Sequence, residues 1–192
     1  MSTPLPNQTA SGSASATPGQ TIGPFFGYAL PYEGDADLVP PGSPGSIRLH
    51  GKVYDGAGNP IPDALLEIWQ TDAEGNVPQA EGSLHRDGWT FTGWGRADTD
   101  LNGHYTFSTV LTGASAEGSA PFFALTVFAR GLLDKLHTRI YLPEHPANAG
   151  DPLLVSLSED ERATLVATAD ATGLRFDIHL QGDRETTFLT YR

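Results

Sequence analysis

The stretch SIRLHGKVYDGAGNPIPDALLEIWQTD, residues 46–72, predicts the kind of fold that this chain adopts. It contains two short runs rich in branched and aromatic side chains, and the segment DGAGNP between them supplies the Asx and Gly residues that tight turns require. Similar runs recur to the end of the chain: GWTFTGWGRADTD (88–100), HYTFSTVL (104–111), FFALTVFARG (122–131), LHTRIYLP (136–143), LRFDIHLQG (174–182) and TTFLTY (186–191). This spacing predicts a mainly β fold, an antiparallel sandwich or barrel rather than alternating βα units.

A single short helix is predicted in SLSEDERATLVATAD, residues 156–170. Ser158 is followed three residues later by Glu161, which is the spacing of a capping box, and acidic residues fill the first turn. Leu165 and Val166 give the segment only a modest apolar face. We therefore expect the helix to lie against one edge of the sheet.

Composition divides the chain into three segments. Residues 1–19 are rich in Ser, Thr, Ala and Pro and nearly uncharged, which predicts a flexible tail. Residues 20–45 form an N-terminal arm interrupted by Gly and Pro, and residues 46–192 form the β domain. The arm carries aromatic side chains that need a surface to cover: Phe25, Phe26, Tyr28 and Tyr32. That surface is either the core of this domain or a partner chain.

Charge and cysteine content exclude several classes of function. The chain has no cysteine, so neither disulfides nor thiolate metal sites can form. Its net charge of −12 disfavours binding to nucleic acid or to an anionic membrane surface. No apolar run approaches the roughly 18 residues of a membrane span, and the first residues do not resemble a secretion signal. A cytoplasmic location is therefore predicted.

The run LHTRIYLP carries the most suggestive pair of side chains. Strand residues alternate, so His137, Arg139 and Tyr141 share one face of the predicted strand. The residues between them point toward a core: Leu136, Thr138, Ile140 and Leu142. The His–Arg face is half of a metal site, an anion site or simply a solvent-facing surface. An arginine does not lose its proton to become a metal ligand, so this face favours a carboxylate over a metal.

The other histidines and strand arginines are assigned mainly structural roles. The histidines form no HxH or HExxH pair, and we expect His50, His104 and His179 at solvent-facing strand positions. His145 is expected in a loop, and His85 is expected to be buried or interfacial. Arginines in or next to strands more often pair with a structural carboxylate than with a ligand: Arg96, Arg130 and Arg139. Motifs for a nucleophilic serine or cysteine and for phosphate binding are absent.

Residues 49–77, LHGKVYDGAGNPIPDALLEIWQTDAEGNV, resemble the signature of the intradiol ring-cleavage dioxygenases. The matching positions are Leu49, Gly51, Val53, Gly58, Leu66, Glu67, Ile68 and Gly75. The family pattern continues in QTIGPFF (20–26), GWGRADTDLNGHYTFSTVLTG (93–113), LHTRIYLP and LRFDIHLQGDRETTFL (174–189). The resemblance implies an antiparallel β-sandwich of the intradiol dioxygenase type over residues 46–192, with one short helix and long loops.

The resemblance also implies a chemistry, which the residues of this chain only partly support. Proteins of the family hold a non-haem ferric ion with two Tyr and two His side chains, and they cleave catechols between the two hydroxyls. The tyrosine positions fall on Val77 and near Ser115, and the histidine positions fall on His137 and Arg139. One histidine does not hold a ferric ion. We therefore expect neither a metal site nor catalytic residues in this chain.

Some members of the family combine two homologous chains, of which only the β subunit binds Fe(3+), and the active site lies between them. The resemblance then implies that this chain forms one wall of the site with substrate-binding residues Thr21, Gly23, Pro24 and Arg139. A guanidinium suits a carboxylated catechol because it binds a carboxylate in a bidentate fork. The family usually has Tyr where this chain has Phe25, which removes one hydroxyl.

The implied partners are therefore the iron-bearing β subunit, an aromatic substrate and O₂, in a larger αβ oligomer, with the N-terminal arm packing on the partner chain. Two alternatives remain at this point. The first is a self-standing β-sandwich binding module that descends from such an enzyme. The second is a homo-oligomeric metalloenzyme with a different ligand set, which the scattered histidines disfavour.

Overall fold

The computed structural model describes Gly23, residues 26–79 and residues 86–190. The predicted tail and the positions of Thr21, Pro24, Phe25 and His85 lie outside these residues. The strands are β1 (Ser46–Tyr54), β2 (Leu65–Trp69), β3 (Trp94–Asp98), β4 (His104–Val110), β5 (Phe122–Phe128), β6 (Leu136–Tyr141), β7 (Thr168–Asp170), β8 (Gly173–Arg175) and β9 (Ile178–His179). The helices are α1 (Phe26–Ala29), a 3₁₀ turn (Pro146–Gly150), α2 (Pro152–Ser156) and α3 (Glu159–Ala163).

The strands form two sheets, and the predicted β-sandwich is confirmed. One sheet has the order β4-β1-β8-β7, with β9 also pairing to β1, and the other has the order β3-β2-β5-β6. The long pairings are antiparallel, whereas β8 and β9 run parallel to β1.

The core lies between the two sheets and follows the alternation of the strands. On β5, Phe123, Leu125 and Val127 are buried, and the residues between them are only partly buried. On β6, Thr138 and Ile140 are buried on the inner face, as predicted. His137 and Arg139 lie on the opposite face because successive strand residues alternate. This period of two is the physical signature of a sheet with one face on the core.

The signature glycine Gly51 is required by a close approach of two backbones. Gly51 lies opposite Tyr105 on β4, and a Cβ at this position would overlap the carbonyl oxygen of Phe176. The same carbonyl accepts a hydrogen bond of 2.6 Å from the hydroxyl of Tyr105, which is fully buried. The glycine thus lets the segment before β9 pass over β1, while the tyrosine covers the space that a side chain would occupy.

The Asx turns predicted from the sequence are present. Asp55 accepts hydrogen bonds from the backbone N–H groups of Ala57 and Asn59, and Asp72 accepts from those of Glu74 and Asn76. Both loops therefore use the same side-chain-to-backbone geometry. The second loop directly precedes Val77 and so fixes the start of the chain segment that borders the site described below.

The edges of the four-stranded sheet are closed by other parts of the chain. The N–H of Arg96 on β3 donates to the carbonyl of Asp35, and Leu38 from the same segment packs into the core against Gly95. On β6, the N–H of Tyr141 donates to the carbonyl of Leu165. These contacts satisfy backbone groups that an open edge would expose.

The helical region differs from the prediction in extent. The capping box of Ser158 and Glu161 is confirmed, but α3 ends at Ala163. Residues 168–170, predicted within the helix, form strand β7 because they pair with β8. Of the run predicted as a strand at 186–191, the described residues 186–190 do not form a regular strand, although the N–H of Leu189 donates to the carbonyl of His137. None of the helices in the described ranges has the length and hydropathy that crossing a membrane requires.

Candidate functional site

The outer face of the four-stranded sheet carries the residues that the sequence singled out. Arg139 on β6 lies opposite Ala124 on β5, which in turn lies opposite Trp69 on β2. His137 lies in the next row, opposite Thr126. The two polar side chains therefore occupy neighbouring rows at one edge of the sheet, as the alternation along LHTRIYLP predicted.

A pocket of about 160 Å³ lies beside this edge and brings together the two positions where the family has tyrosines. Val77 and Ser115 both line it, although they are far apart in sequence. The rest of the lining is mostly apolar: Trp69, Gln70, Thr71, Pro78, Gly113 and Phe122. The structure thus confirms that these positions converge, and it replaces two phenol groups with an isopropyl group and a small hydroxyl.

Arg139 contacts Phe122, one of the residues that line the pocket. Its guanidinium carbon is 4.0 Å from the centre of the Phe122 ring, so the cation stacks on the aromatic face. Its Nη1 donates to the hydroxyl of Tyr141 at 3.2 Å. Its Nε is buried and has no hydrogen-bond partner among the described residues. An orphaned buried donor is costly, which sets Arg139 apart from the other strand arginines described below.

His137 is partly buried next to this arginine. Burial, together with the charge of Lys135, lowers the pKa of His137. Its Nδ1 lies 3.2 Å from the hydroxyl oxygen of Thr126. The imidazole is therefore neutral at neutral pH.

Tyr141 and Asp151 form a hydrogen-bonded support for Arg139. The strand pattern placed Tyr141 on the same face as Arg139 but did not identify Asp151. The side chain of Tyr141 is fully buried rather than solvent-facing, in a second apolar cluster with Ala120, Leu154 and Leu165. Its hydroxyl donates to Oδ1 of Asp151 at 3.1 Å. The signal that could have found Asp151 is the pair Asp–Pro at 151–152, because an N-cap followed by proline marks the start of a helix.

The side chains at the four positions where the family has iron ligands do not fit a ferric ion. Val77 has no donor atom, Ser115 is a weak ligand, and the guanidinium of Arg139 repels a cation. His137 alone does not replace four ligands. Among residues 23, 26–79 and 86–190, no group of three His, Asp or Glu side chains is placed to hold a metal ion.

The other arginines follow the structural alternative. Arg96 on β3 pairs with Glu67 on β2, with Nη2 2.6 Å from Oε1, and the two side chains are only 12% and 19% exposed. Arg130 forms an ion pair with Asp63. The prediction that strand arginines pair with structural carboxylates is therefore confirmed for these two residues, whereas no carboxylate of the described chain pairs with Arg139.

The prediction that His50 faces solvent is wrong. His50 is only 8% exposed, because the hairpin of β7 and β8 covers it. Its Nε2 lies 3.1 Å from Oδ2 of Asp170 and 2.9 Å from the hydroxyl of Thr172. His104 and His179 are partly buried rather than solvent-facing, and His145 caps the 3₁₀ turn in a loop. These histidines hold loops and strands together.

Several large apolar side chains around this face are exposed. Trp69, which lines the pocket, is 56% exposed, and Tyr28 on α1 is 88% exposed. Arg96 donates to the carbonyl of Leu30 and thereby docks the arm onto the sheet. Of the four predicted substrate-binding residues, Arg139 is partly buried and Gly23 is exposed, whereas Thr21 and Pro24 lie outside the described residues.

The two-sheet sandwich, its signature glycine and the converging Val77 and Ser115 positions define a protein of the intradiol dioxygenase class. The chain belongs to the dioxygenase family, since the family model described as Dioxygenase matches residues 23–182. The resemblance inferred from the signature is thereby confirmed.

Individual relatives point in the same direction. The chain is 38% identical over 190 residues to the protocatechuate 3,4-dioxygenase alpha chain of Burkholderia cepacia, covering 90% of this chain and 95% of the relative. It is 31% identical over 154 residues to the beta chain from the same organism, covering 71% and 64%. A solved dioxygenase domain of a dioxygenase carbohydrate-binding protein fusion from Streptomyces sp. SirexAA-E is 26% identical. It has a TM-score of 0.58, with 86% of this chain and 98% of that chain covered.

Proposed function

We propose that this chain is the subunit without iron of a two-chain protocatechuate 3,4-dioxygenase. The observation that carries the proposal is the 38% identity to an alpha chain over nearly the full length of both chains, compared with 31% over part of a beta chain. The complex would cleave protocatechuate with O₂ between its two hydroxyls and give 3-carboxy-cis,cis-muconate. This chain alone would be inactive, because its described residues include no group of side chains placed to hold a metal ion.

We assign Fe(3+) to the homologous β subunit. The support is chemical: two of the four family ligand positions, Val77 and Ser115, line a mostly apolar pocket in this chain, and a third is a cation. The iron would supply the activation of the catechol toward O₂. The residues of this chain would shape the pocket, exclude water and orient the substrate.

Arg139 is the residue of this chain that we assign to the substrate carboxylate. Its guanidinium lies over the Phe122 ring and has no carboxylate partner among the described residues, which supports this role, because a guanidinium binds a carboxylate through charge-assisted hydrogen bonds. Thr21, Gly23 and Pro24 are proposed to form the remainder of the wall, on the basis of the family resemblance. Phe25 in place of Tyr leaves that wall with one hydroxyl fewer.

The partner surface is proposed to include the pocket rim and the N-terminal arm. Trp69 and Tyr28 expose large aromatic surfaces that a partner would bury, and aromatic residues are enriched at interfaces. The packing of the arm at residues 20–45 on the β subunit remains a proposal, and it concerns the parts of the arm other than Leu30, Asp35 and Leu38, which contact this chain's own sheet and core. A higher-order αβ oligomer is likewise a proposal. A cytoplasmic location is likewise a proposal, which the cysteine-free composition supports.

The decisive experiment is to purify the chain alone and together with its β subunit, after expression with iron. A tyrosinate–iron(III) site absorbs visible light through charge transfer, so we expect colour and ring-cleavage activity only in the complex. Colour in this chain alone would refute the assignment of iron to the partner. Failure to associate with an iron-bearing homologue would favour the self-standing binding module.

Replacing Arg139 tests its proposed contact with the substrate. In the complex, Arg139→Ala is expected to raise KM for protocatechuate roughly 10- to 100-fold, because hydrogen bonds to a charged group contribute more than neutral ones. The KM for catechol, which lacks the carboxylate, is expected to change much less. The measurement is steady-state oxygen uptake with both substrates. An equal loss for both substrates would instead make Arg139 a structural residue.

A further inference from the structure

Asp151 is a buried carboxylate whose hydrogen bonds hold it in one orientation. Its Oδ1 accepts from the N–H groups of Leu153 and Leu154 at the start of α2, and its Oδ2 accepts from the N–H of Ala120 at 2.9 Å. Burial alone would raise its pKa, but the hydrogen bonds from Ala120, Leu154 and Tyr141 lower the pKa of Asp151 below its ordinary value. The carboxylate is therefore ionised and fixed at neutral pH.

Tyr141 connects this carboxylate to Arg139 with a defined hydrogen-bond direction. Burial raises the pKa of Tyr141 to about 12, so its hydroxyl keeps its proton and donates it to Asp151. The lone pairs of the same oxygen are then available to accept from Nη1 of Arg139. The direction is thus Arg139 to Tyr141 to Asp151, and each bond polarises the next.

The two contacts of the guanidinium restrict different motions. The contact with Phe122 limits movement of the guanidinium toward or away from the ring, whose centre lies 4.0 Å from the guanidinium carbon. The bond from Nη1 to the hydroxyl of Tyr141 fixes one end of the guanidinium. Nη1 is therefore occupied, and Nε is buried without a hydrogen-bond partner among the described residues.

We propose that Tyr141, held by Asp151, is a positioning residue that fixes the guanidinium of Arg139 for the carboxylate of the substrate. This inference rests on the proposed function and deepens it. Tyr141 itself lies in a buried apolar cluster and acts through the arginine rather than on the substrate. Arginine side chains have many rotamers, so fixing one of them before binding reduces the entropy lost when the carboxylate docks.

The test is Tyr141→Phe in the assembled complex, with protocatechuate and catechol as substrates. We expect KM for protocatechuate to rise roughly fivefold, in keeping with the loss of one hydrogen bond, while kcat and the KM for catechol stay nearly unchanged. The matched control is Tyr105→Phe, which removes another fully buried hydroxyl that bonds to the carbonyl of Phe176 in the core. The control is expected to lower stability without altering the ratio of the two KM values.

A double-mutant cycle identifies whether Tyr141 acts through Arg139. If it does, Tyr141→Phe has no further effect on the KM ratio in the Arg139→Ala background. An additive effect, or an equal rise in both KM values, overturns the inference. If Arg139→Ala is selective and Tyr141→Phe is not, the positioning role fails while the proposed function stands. If Arg139→Ala is itself unselective, the assignment of the arginine fails, and the inference fails with it.

Discussion

Arg96 and Arg139 lie on the two opposite edge strands of the same sheet and point to the same outer face, yet their surroundings differ. Arg96 bonds to Glu67 through two of its nitrogens and to the carbonyl of Leu30 through the third. It also lies 5.1 Å from the centre of the Trp94 ring. Arg139 stacks on Phe122 at 4.0 Å, but it has one hydrogen bond to a neutral hydroxyl and a buried Nε without a partner.

This difference distinguishes a structural arginine from the arginine that we propose binds the substrate. Both cations stack on an aromatic ring, so stacking does not discriminate between the two roles. What differs is whether the chain supplies its own carboxylate: Glu67 does so for Arg96, whereas Asp151 contacts Arg139 only through Tyr141. A partly buried arginine without a carboxylate of its own is the better candidate for binding an anion from outside the chain.

The same substitution at both edges tests whether the two arginines have different roles. Arg96→Met leaves the carboxylate of Glu67 largely buried and unpaired, which is expected to lower the free energy of unfolding by about 3 kcal/mol. Arg139→Met is expected to change it by less than about 1 kcal/mol, since the lost contacts are offset by removal of an unsatisfied buried donor. The measurement is urea unfolding of this chain, followed by tryptophan fluorescence.

A third arginine provides the control for the strength of an ion pair. Arg130 is 69% exposed in its pair with Asp63, so Asp63→Ala is expected to cost less than about 1 kcal/mol. Similar losses for Arg96→Met and Arg139→Met would contradict the distinction between the two edges. Such a result would mean that Arg139 stabilises the isolated chain rather than binding the substrate.

The fold was largely predictable because its signals are local. Alternation along the strands, the Asx turns and the capping box at Ser158 each depend on a few neighbouring residues, and each was found where the sequence placed it. The segment at 168–170 was assigned to a helix, since the competing signal is its pairing with β8, which is a tertiary contact. Likewise His50 is buried by a hairpin that lies more than a hundred residues away in the chain.

The site was predictable only as far as the family pattern reached. Val77, Ser115 and Arg139 could be placed through the resemblance, and the structure brings the first two around one pocket. The Tyr141–Asp151 support could not be found from the strand pattern, because alternation assigns Tyr141 to the polar face without showing that α2 and the segment after α3 cover it. Which arginine has a carboxylate partner is also a property of the assembled sheet.

Substitution of Asp151 is expected to lower the free energy of unfolding by less than substitution of Arg96. In Asp151→Asn, one oxygen becomes an NH₂ group that faces the N–H of Ala120, so two donors meet and the free energy of unfolding falls by about 2 kcal/mol at pH 7. Because the folded-state pKa of Asp151 lies below its ordinary value of 3.8, the wild-type carboxylate stabilises the fold above that pH. That contribution is lost as the pH falls through the folded-state value.

The difference in the free energy of unfolding between wild type and Asp151→Asn should therefore become smaller in urea unfolding experiments run below pH 3.8. Asp55→Asn is the matched control, since its carboxylate closes an exposed Asx turn after β1, which belongs to the other sheet, and its loss costs less. A difference in the free energy of unfolding that stays constant with pH would show that the charge of Asp151 does not stabilise this edge. The neutral hydroxyl of Tyr141 would then suffice to hold Arg139, and the two edges would differ only in the presence of Glu67.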